Sequence, residues 1–247
     1  MKKLLVTVFF LNMLASAQTN NGIAFYGFKM VENDKIERKI DSLKSKVSQK
    51  MLQKIQNQIK SSKDFSQVEF SLKFNKDFSS FNYIDKMEVE EGSLSNRLRD
   101  LIVQANRKYN YNFKSKIITR QIEFEGEKFL IQQHLDSLKW QLENQQKNIG
   151  GYLCFKATAF KKKKFPSGIK KIPVVAWYSP TIPISSGPYE YNGLPGLIIE
   201  LKEGNKIIFL SKINFKKQEV FPIKLKGKKV TEEEFEQIWR RKMPKRF

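Results

Sequence analysis

The chain has 247 residues and a formal net charge of +21 at pH 7, from 46 Lys and Arg residues against 25 Asp and Glu residues. This length allows one substantial domain with its own core, and no linker-like change of composition divides it. The sole cysteine, Cys154, excludes an intrachain disulfide, so packing must supply the stability. A surface this basic favours anionic partners.

The first residues have the pattern of a secretory signal peptide. Lys2 and Lys3 precede an apolar stretch at residues 4–14, and the small residues 15–17 form a cleavage site. We therefore expect a signal peptide over residues 1–17, cleavage near Ala17, and a single mature domain over residues 18–247. No cysteine stands at the cleavage site to accept a lipid, and no later segment is apolar enough to cross a membrane. These features predict a periplasmic or extracellular protein.

The predicted compartment narrows the choice of anionic partner. Nucleic acid is scarce outside the cytoplasm, so we expect no nucleic-acid partner, whereas envelope lipids and lipopolysaccharide carry phosphate at the surface such a protein meets. The expected partners are therefore an envelope lipid, lipopolysaccharide or a protein. The alternative is that the excess lysine only keeps a secreted protein soluble.

The first predicted elements are a strand and a long helix. Residues 22–30 alternate in the manner of a strand. Residues 34–59 carry apolar side chains every three or four positions, and Asp34 with Glu37 can form a capping box at the start of a helix. We expect this helix to pack across a sheet, although its stripe would also suit a membrane surface or a partner.

From residue 65 onward apolar residues recur at every second position, which predicts antiparallel strands that each have one solvent-exposed face. The alternating sets are Val68, Phe70, Leu72 and Phe74; then Tyr109, Tyr111 and Phe113; Ile122 and Phe124; and Ile207, Phe209, Ser211, Ile213 and Phe215. Turn sequences at residues 125–127 and 202–205 join neighbouring strands as hairpins. The sheet is therefore predicted to be a meander.

The last predicted element is a short helix. The Thr231 hydroxyl can cap its N-terminus, and the Glu234 carboxylate, three residues later, can accept a hydrogen bond from the Thr231 amide. Phe235, Ile238 and Trp239 form a packing stripe. The predicted fold class is therefore α+β: a curved, mainly antiparallel, half-barrel-like meander with one long N-terminal helix packed across it and a short C-terminal helix.

A block of aromatic, Pro and Gly positions ends in the hexapeptide Gly193-Leu194-Pro195-Gly196-Leu197-Ile198. Its other members are Trp140, Gly151, Tyr152, Cys154, Trp177, Pro180, Pro183, Gly187 and Pro188. Through these residues the chain resembles the GLPGLI family, a largely uncharacterised family found mainly in Bacteroidota. The resemblance covers about a third of the chain and implies a secreted protein with a leader peptide and a variable basic middle. One departure is the four-lysine run at 161–164, which lengthens a hairpin and is interpreted as its solvated tip.

The hexapeptide favours an architectural role. Asn192-Gly193 is a turn dipeptide, Pro195 removes a backbone donor, and Gly196 relaxes the backbone before a strand at residues 197–201. We expect residues 178–189 to cross the surface as an extended loop. The alternative is that this loop forms the lip of an apolar ligand site, and the candidate lip residues are Trp177, Tyr178, Tyr189 and Tyr191.

The sequence identifies no catalytic or metal-binding group. A catalytic cysteine–histidine pair would have to combine the only histidine, His134, with Cys154. Cys154 lies in an apolar strand, where a cysteine usually acts as a small buried hydrophobic residue. Two such residues are too few for a zinc site, no calcium-loop or phosphate-loop pattern is present, and no cofactor is implied. The acidic groups, Glu88, Glu90 and Glu91 and residues 232–234, are interpreted as a solvent loop and a helix N-terminus.

We therefore predict a secreted envelope protein of unknown specific function. Its expected role is non-enzymatic: it binds a hydrophobic or anionic ligand, or a protein partner, between sheet and helix. The alternative is a secreted enzyme of hydrolase type that uses His134 or carboxylates.

Overall fold

The computed structural model describes residues 21–31, 65–84, 102–134, 138–165, 168–216 and 220–242, together with the isolated positions Gln49 and Gln53. Within these described residues, twelve strands form one sheet. Their bounds are β1 (Gly22–Met30), β2 (Glu69–Phe74), β3 (Phe78–Tyr83), β4 (Arg107–Asn112), β5 (Ile117–Phe124), β6 (Glu127–His134), β7 (Gln141–Ile149), β8 (Tyr152–Phe165), β9 (Gly168–Ser179), β10 (Leu197–Glu203), β11 (Lys206–Phe215) and β12 (Lys228–Lys229). Helix α1 spans Glu232–Lys242.

The sheet consists of two meanders joined side by side. The strand order is β12-β6-β5-β4-β3-β2-β1-β11-β10-β9-β8-β7, so β1 to β6 and β7 to β11 each follow one another without a break, and both run in the same direction across the sheet. β1 pairs with β11 and joins the two, with Gly22 opposite Phe215. Every pairing is antiparallel except that of the two-residue strand β12 with β6. The predicted antiparallel meander is thus confirmed within each half.

One face of the sheet carries most of the core. On it Tyr26 of β1 lies opposite Phe70 of β2, and Phe81 of β3 lies opposite Tyr109 of β4, with Phe70 and Phe81 as diagonal neighbours between the two pairs. All four side chains are buried. We call this the covered face, because the loop after β9 and helix α1 both pack against it.

The alternation predicted for β11 is wrong in detail. Ile208 is buried, while Ile207 and Phe209 are only partly covered. A bulge between Phe25 and Tyr26 shifts the register, so Tyr26 lies opposite Leu210 while Phe25 lies opposite Lys212. The extra residue changes which positions of β11 face the core, and one continuous period of two cannot describe the strand.

The opposite face of β3 to β5 is polar and is crossed by the extended residues 220–226. Asn75 Nδ2 donates to the Val220 carbonyl at 3.1 Å and Asn110 Nδ2 to the Ile223 carbonyl at 2.6 Å. The Lys226 amide donates to Gln121 Oε1 at 2.9 Å. The chain then passes β6 as β12 and reaches the covered face as α1.

Helix α1 begins with the predicted capping box. The Thr231 amide donates to Glu234 Oε2 at 2.8 Å, and the Glu234 amide donates to Thr231 Oγ1 at 3.1 Å. Phe235 is buried against Phe124 and Phe129, with Ile238 beside it. Trp239, predicted to share this packing stripe, is instead 45% exposed.

The predicted α+β fold class is wrong. The described chain is mainly β-sheet, and α1 is the only helix whose two ends both lie within the described residues. The long helix predicted for residues 34–59 falls outside the described part, apart from Gln49 and Gln53. Strands, which the period of two predicted as one part of an α+β fold, therefore form nearly all of the described secondary structure. No helix in the described ranges is both long enough and apolar enough to cross a membrane.

Candidate functional site

The segment between β9 and β10, residues 180–196, lies on the covered face, and we call it the signature loop. Its ends meet at Gly196, whose φ is +154°. A Cβ at this position would lie 2.2 Å from the Ser179 carbonyl oxygen, so no side chain fits. Within the loop, a Cβ at Gly187 would lie 2.6 Å from the Ile198 side chain. These two glycines let the backbone approach the sheet closely, which agrees with the architectural interpretation of the hexapeptide.

Hydrogen bonds hold the loop from several strands. The hydroxyls of Ser79 on β3 and Ser186 in the loop share a hydrogen bond of 2.6 Å, and just after the loop the Ile198 carbonyl of β10 accepts a hydrogen bond of 2.8 Å from the Tyr26 hydroxyl on β1. Trp140 Nε1 donates to the Asn192 carbonyl at 2.7 Å. The loop is therefore fixed to both meanders. The prediction that residues 178–189 cross the surface is wrong, since β9 continues to Ser179 and Ile182 and Ile184 are buried.

The four candidate lip residues do not form one group. Trp177 pairs with Lys156, and the Lys147 ammonium lies 4.3 Å from its ring centroid. Its neighbour Tyr178 points to the other side of β9 and is buried. Tyr189 and Tyr191 are also buried, so three of the four lie inside the protein rather than at an opening.

Tyr189 is the centre of an aromatic cluster. Its ring centroid lies 5.6 Å from that of Phe70, 5.2 Å from Phe81 and 6.0 Å from Tyr109. Its hydroxyl donates to the Val103 carbonyl at 2.8 Å. The φ of Tyr189 is +54°, a region that a bulky residue rarely adopts, so the surrounding contacts hold this residue in a strained conformation.

Glu190 follows Tyr189 and forms an ion pair with Lys161 of β8. Burial is the largest single influence on this carboxyl and opposes its ionisation, but the charge and hydrogen bond of Lys161, with the charge of Arg120 and a backbone hydrogen bond, together outweigh burial and lower the pKa of Glu190 to about 2. Lys161 was expected at a solvated hairpin tip. It instead points toward the signature loop, 5.4 Å from the Tyr191 ring centroid. The hydroxyl of Tyr191 donates to Glu203 Oε2 at 2.9 Å, which extends the polar contacts to β10.

Next to this ion pair lie four buried polar atoms that make no hydrogen bond of normal geometry within the described residues, although the Arg107 and Tyr109 side chains interact with one another. They are Arg107 Nε, Tyr109 Oη, Tyr111 Oη and Arg120 Nε. The first three belong to alternate positions of β4, and Arg120 lies opposite Tyr109 on β5. We call these four residues the donor cluster, because each of the four atoms can donate a hydrogen bond.

The donor cluster and the Glu190 ion pair influence one another electrostatically. Burial, followed by the negative charge of Glu190, raises the pKa of Tyr109, while Arg107, Arg120 and Lys161 act in the opposite direction. Burial is also the main reason that the pKa of Tyr111 is raised well above its usual value. Both phenols are therefore neutral at physiological pH. They can donate hydrogen bonds but cannot act as bases.

The donor cluster lies between the parts of the covered face packed by the loop and by the helix. Arg120 forms an ion pair with Glu232 at the start of α1, and Gln133 Nε2 donates to the same carboxylate at 3.2 Å. Arg107 Nη1 donates to Gln104 Oε1 at 2.7 Å. The Arg120 side chain is 12% exposed and that of Glu232 is 46% exposed, so solvent approaches the cluster from the helix side.

Sequence reasoning did not find the donor cluster, although part of the signal was present. Arg107, Tyr109 and Tyr111 share the period of two that placed the two tyrosines in the core. A charged residue on the buried side of a strand could have been marked as a candidate. Nothing in the sequence shows that Glu190, some 80 residues later, comes near them.

The groups considered for catalysis are not brought together. His134 is exposed at the end of β6, and Cys154 lies on β8, which is far from β6 in the strand order. Burial raises the pKa of the Cys154 thiol to about 11, which leaves it protonated and unreactive. Residues 88, 90 and 91 lie outside the described part. Among the described residues, no three His, Cys, Asp or Glu side chains are grouped to hold a metal ion.

Comparison with known proteins finds one family model that is similar to a segment of the chain. Residues 161–200 match the model of a family described as "Protein of unknown function (Porph_ging)". The match includes Lys161, the whole of β9 and the signature loop. No curated protein matches the chain.

Two solved structures are similar in fold. They are "Structure of PNGF-II in C2 space group", with a TM-score of 0.53, and "Structure of PNGF-II in P21 space group", with a TM-score of 0.52. Each is 11% identical and is matched over 89% of this chain, but over only 32% and 33% of its own length. The chain thus spans about a third of the structures it matches. At this identity the similarity shows the fold alone.

Proposed function

We propose that this chain is a non-catalytic binding protein of the cell envelope, acting in the periplasm or outside the cell, and that its ligand is a small oxyanion held by the donor cluster. The observation that carries this proposal is the set of four buried donors that make no hydrogen bond of normal geometry among the described residues. A buried polar group without a partner destabilises a fold by about 1–3 kcal/mol, and native proteins keep few of them.

The chemistry of the cluster supports an oxyanion rather than a hydrophobic ligand. Two of the four atoms belong to guanidinium groups, which match carboxylate and phosphate oxygens in charge and geometry. The two phenols can complete the coordination as neutral donors. By contrast, Tyr189 and Tyr191, candidates for an apolar site, already pack inside the protein and donate to Val103 and Glu203.

The pKa values support binding rather than catalysis. A general base works best when its pKa lies near the working pH, whereas that of Glu190 is about 2. The Cys154 thiol, with a pKa near 11, is not a nucleophile. We also propose that the matched segment 161–200 and the motifs that resemble the GLPGLI family belong to one secreted domain over residues 18–247.

Tyr→Phe substitutions test the donor cluster with little change of shape. Tyr109→Phe and Tyr111→Phe each remove a hydroxyl that makes no hydrogen bond of normal geometry among the described residues, so the free energy of unfolding should stay the same or rise. Tyr26→Phe is the matched control, because its hydroxyl is bonded to the Ile198 carbonyl and its loss should destabilise the protein by about 1 kcal/mol.

Ligand binding is measured by titration calorimetry with inorganic phosphate and with succinate, at constant ionic strength set by chloride. At least one of the two anions should bind, and Tyr109→Phe should weaken it about tenfold or more, as expected for a hydrogen bond to a charged group. Tyr26→Phe should bind as the wild type does. Phosphate and succinate separate the two oxyanion classes. Absence of binding by both, or equal destabilisation by all three substitutions, would overturn the proposal.

A further inference from the structure

The second half of the β8–β9 hairpin extends beyond the strands on either side of it. β7 pairs with β8 only as far as Thr158, and β10 pairs with β9 only as far as Val174. Beyond them, the pairing of β8 with β9 continues from Phe160 opposite Pro173 to Phe165 opposite Gly168. We call residues 160–173 the hairpin arm. No other strand of the described chain flanks the arm.

The arm has a strongly biased composition. It contains six lysines, Lys161, Lys162, Lys163, Lys164, Lys170 and Lys171, and no acidic residue. Lys162 lies directly opposite Lys171, and Lys163 directly opposite Lys170. Like charges at such positions destabilise a strand pair. Lys161 pairs with a carboxylate of the signature loop, whereas Lys162 and Lys171 are exposed on the outer arm and concentrate positive charge there.

Large apolar side chains are exposed among these lysines. Phe160 is 66% exposed and Ile169 is 69% exposed. Phe160 and Lys162 occupy alternate positions of β8, and Lys171 and Ile169 occupy the corresponding positions of β9. All four therefore belong to the same face of the arm. A two-stranded ribbon is marginally stable alone, so repelling lysines and exposed apolar groups make this arm a poor structural element.

We propose that the hairpin arm docks on a lipid surface that carries phosphate headgroups. The lysines lie against the phosphates, while Phe160 and Ile169 enter the boundary between headgroups and acyl chains. Charge complementarity selects this occupant, because the arm combines several lysines with apolar side chains on one face, the combination that binds anionic membranes. Lys161, which pairs with Glu190 beside the donor cluster, alternates with Phe160 and Lys162 along β8 and so belongs to the other face of the arm; docking therefore does not depend on the oxyanion site.

Co-sedimentation of the full-length chain with vesicles tests this proposal. The vesicles contain phosphatidylglycerol in phosphatidylcholine, and pure phosphatidylcholine vesicles serve as the neutral surface. The wild type should bind the anionic vesicles and not the neutral ones. Because each lysine near an anionic surface strengthens binding roughly fivefold, Lys162→Gln with Lys171→Gln should weaken binding about 25-fold. Phe160→Ser with Ile169→Ser should weaken it about tenfold or more.

A matched control removes the same charge elsewhere. Lys212 and Lys216 are exposed at the end of β11 and just beyond it. Lys212→Gln with Lys216→Gln should change vesicle binding less than threefold if the arm is the docking site. Tyr109→Phe should leave vesicle binding unchanged, which separates this proposal from the oxyanion site. Near-ultraviolet circular dichroism confirms that each variant keeps its tertiary packing.

Three results would overturn the proposal. One is wild-type binding that is absent or equal on neutral and anionic vesicles. Another is equal weakening by the arm and control lysine pairs, which would show that only net charge matters. The third is a wild-type chain that does not sediment with vesicles but binds soluble polyglutamate, with that binding weakened by Lys162→Gln with Lys171→Gln. That outcome would indicate an acidic protein partner instead of a lipid surface.

Discussion

The signature loop and helix α1 pack on the same face of one sheet, but they do so in different ways. The loop reaches the sheet through backbone that only glycine allows, and its side chains lie among those of β1 to β4. The helix rests on β5 and β6 through one buried residue, Phe235, with Ile238 partly buried beside it. The loop is therefore part of the main core, whereas the helix is an amphipathic element added to it.

This difference predicts where the protein tolerates change. The loop depends on particular backbone geometry and many mutual contacts, so single substitutions there should affect the whole fold. The helix depends on a small apolar contact and a cap, so substitutions there should act locally. The donor cluster lies where the two regions meet, and the position of its arginines depends on both.

The largest expected effect is that of Gly196→Ala. The new Cβ would lie 2.2 Å from the Ser179 carbonyl oxygen, so the loop or β9 must shift, and we expect a loss of about 3 kcal/mol or more in unfolding free energy. Gly126→Ala is the control, since its φ is also positive but no atom lies within 4 Å, and should lose about 1–2 kcal/mol. Urea denaturation measures both. Equal losses would show that the close approach at Gly196 is unimportant.

Phe235→Ala should have the next largest effect, about 3 kcal/mol at most, because it removes the ring contacts with Phe124 and Phe129. The change should be local. Hydrogen exchange should become faster in α1 and β6 while β1 and β10 keep their protection, whereas Gly196→Ala should affect β1 and β10 as well. If Phe235→Ala destabilises both regions equally, the helix is not the separate element described above.

Loss of the Glu190–Lys161 ion pair should have an intermediate effect. Glu190→Gln leaves a partly buried ammonium without its partner, and we expect a loss of about 2 kcal/mol at neutral pH. The folded-state pKa of Glu190, about 2, lies below its usual value of 4.5. The stability from this carboxylate is therefore present above about pH 4.5 and is lost as the pH falls toward 2.

The pH dependence distinguishes this ion pair from surface charges. Urea denaturation of Glu190→Gln at several pH values should show a shallower loss of stability between pH 4.5 and 2 than the wild type shows. Glu233→Gln, which removes an exposed carboxylate from the first turn of α1, should change the curve little. If the unfolding free energy of Glu190→Gln falls with pH as steeply as that of the wild type, other carboxylates cause the acid sensitivity.

Thr231→Ala should have the smallest effect. It removes the hydroxyl that accepts the Glu234 amide, and a lost cap of this kind typically destabilises by about 1 kcal/mol. Far-ultraviolet circular dichroism and thermal unfolding should show partial loss of α1 with the sheet intact. A loss as large as that of Phe235→Ala would mean that the cap, and not the apolar contact, holds the helix to the sheet.

The local elements were predictable where one pattern decides them. The strand at Gly22–Met30 and the capping box of α1 follow from alternation and from side chains able to cap. Cys154 was predicted to be buried and is. These predictions succeeded because neighbouring residues in the chain supply the physical cause.

The candidate site was not predictable, because its geometry depends on long-range contacts. The signature loop was expected on the surface because its prolines leave few free backbone donors, and no local signal shows that Tyr189 packs against Phe70 and Phe81. Lys161 looked like part of a solvated run until the fold brought Glu190 beside it. The bulge at Ser211 of β11 likewise arises from pairing with β1 and not from the sequence of β11 itself.

The pairing of β1 with β11 also constrains the order of folding. β1 is central in the sheet, and Gly22 can meet Phe215 only after nearly two hundred intervening residues have become available. Contacts this distant in sequence form slowly, so the sheet must be completed late. Until then β1 has an unpaired edge that could pair with another chain. Any cell that makes this protein must therefore protect an early strand until the last meander has folded beside it.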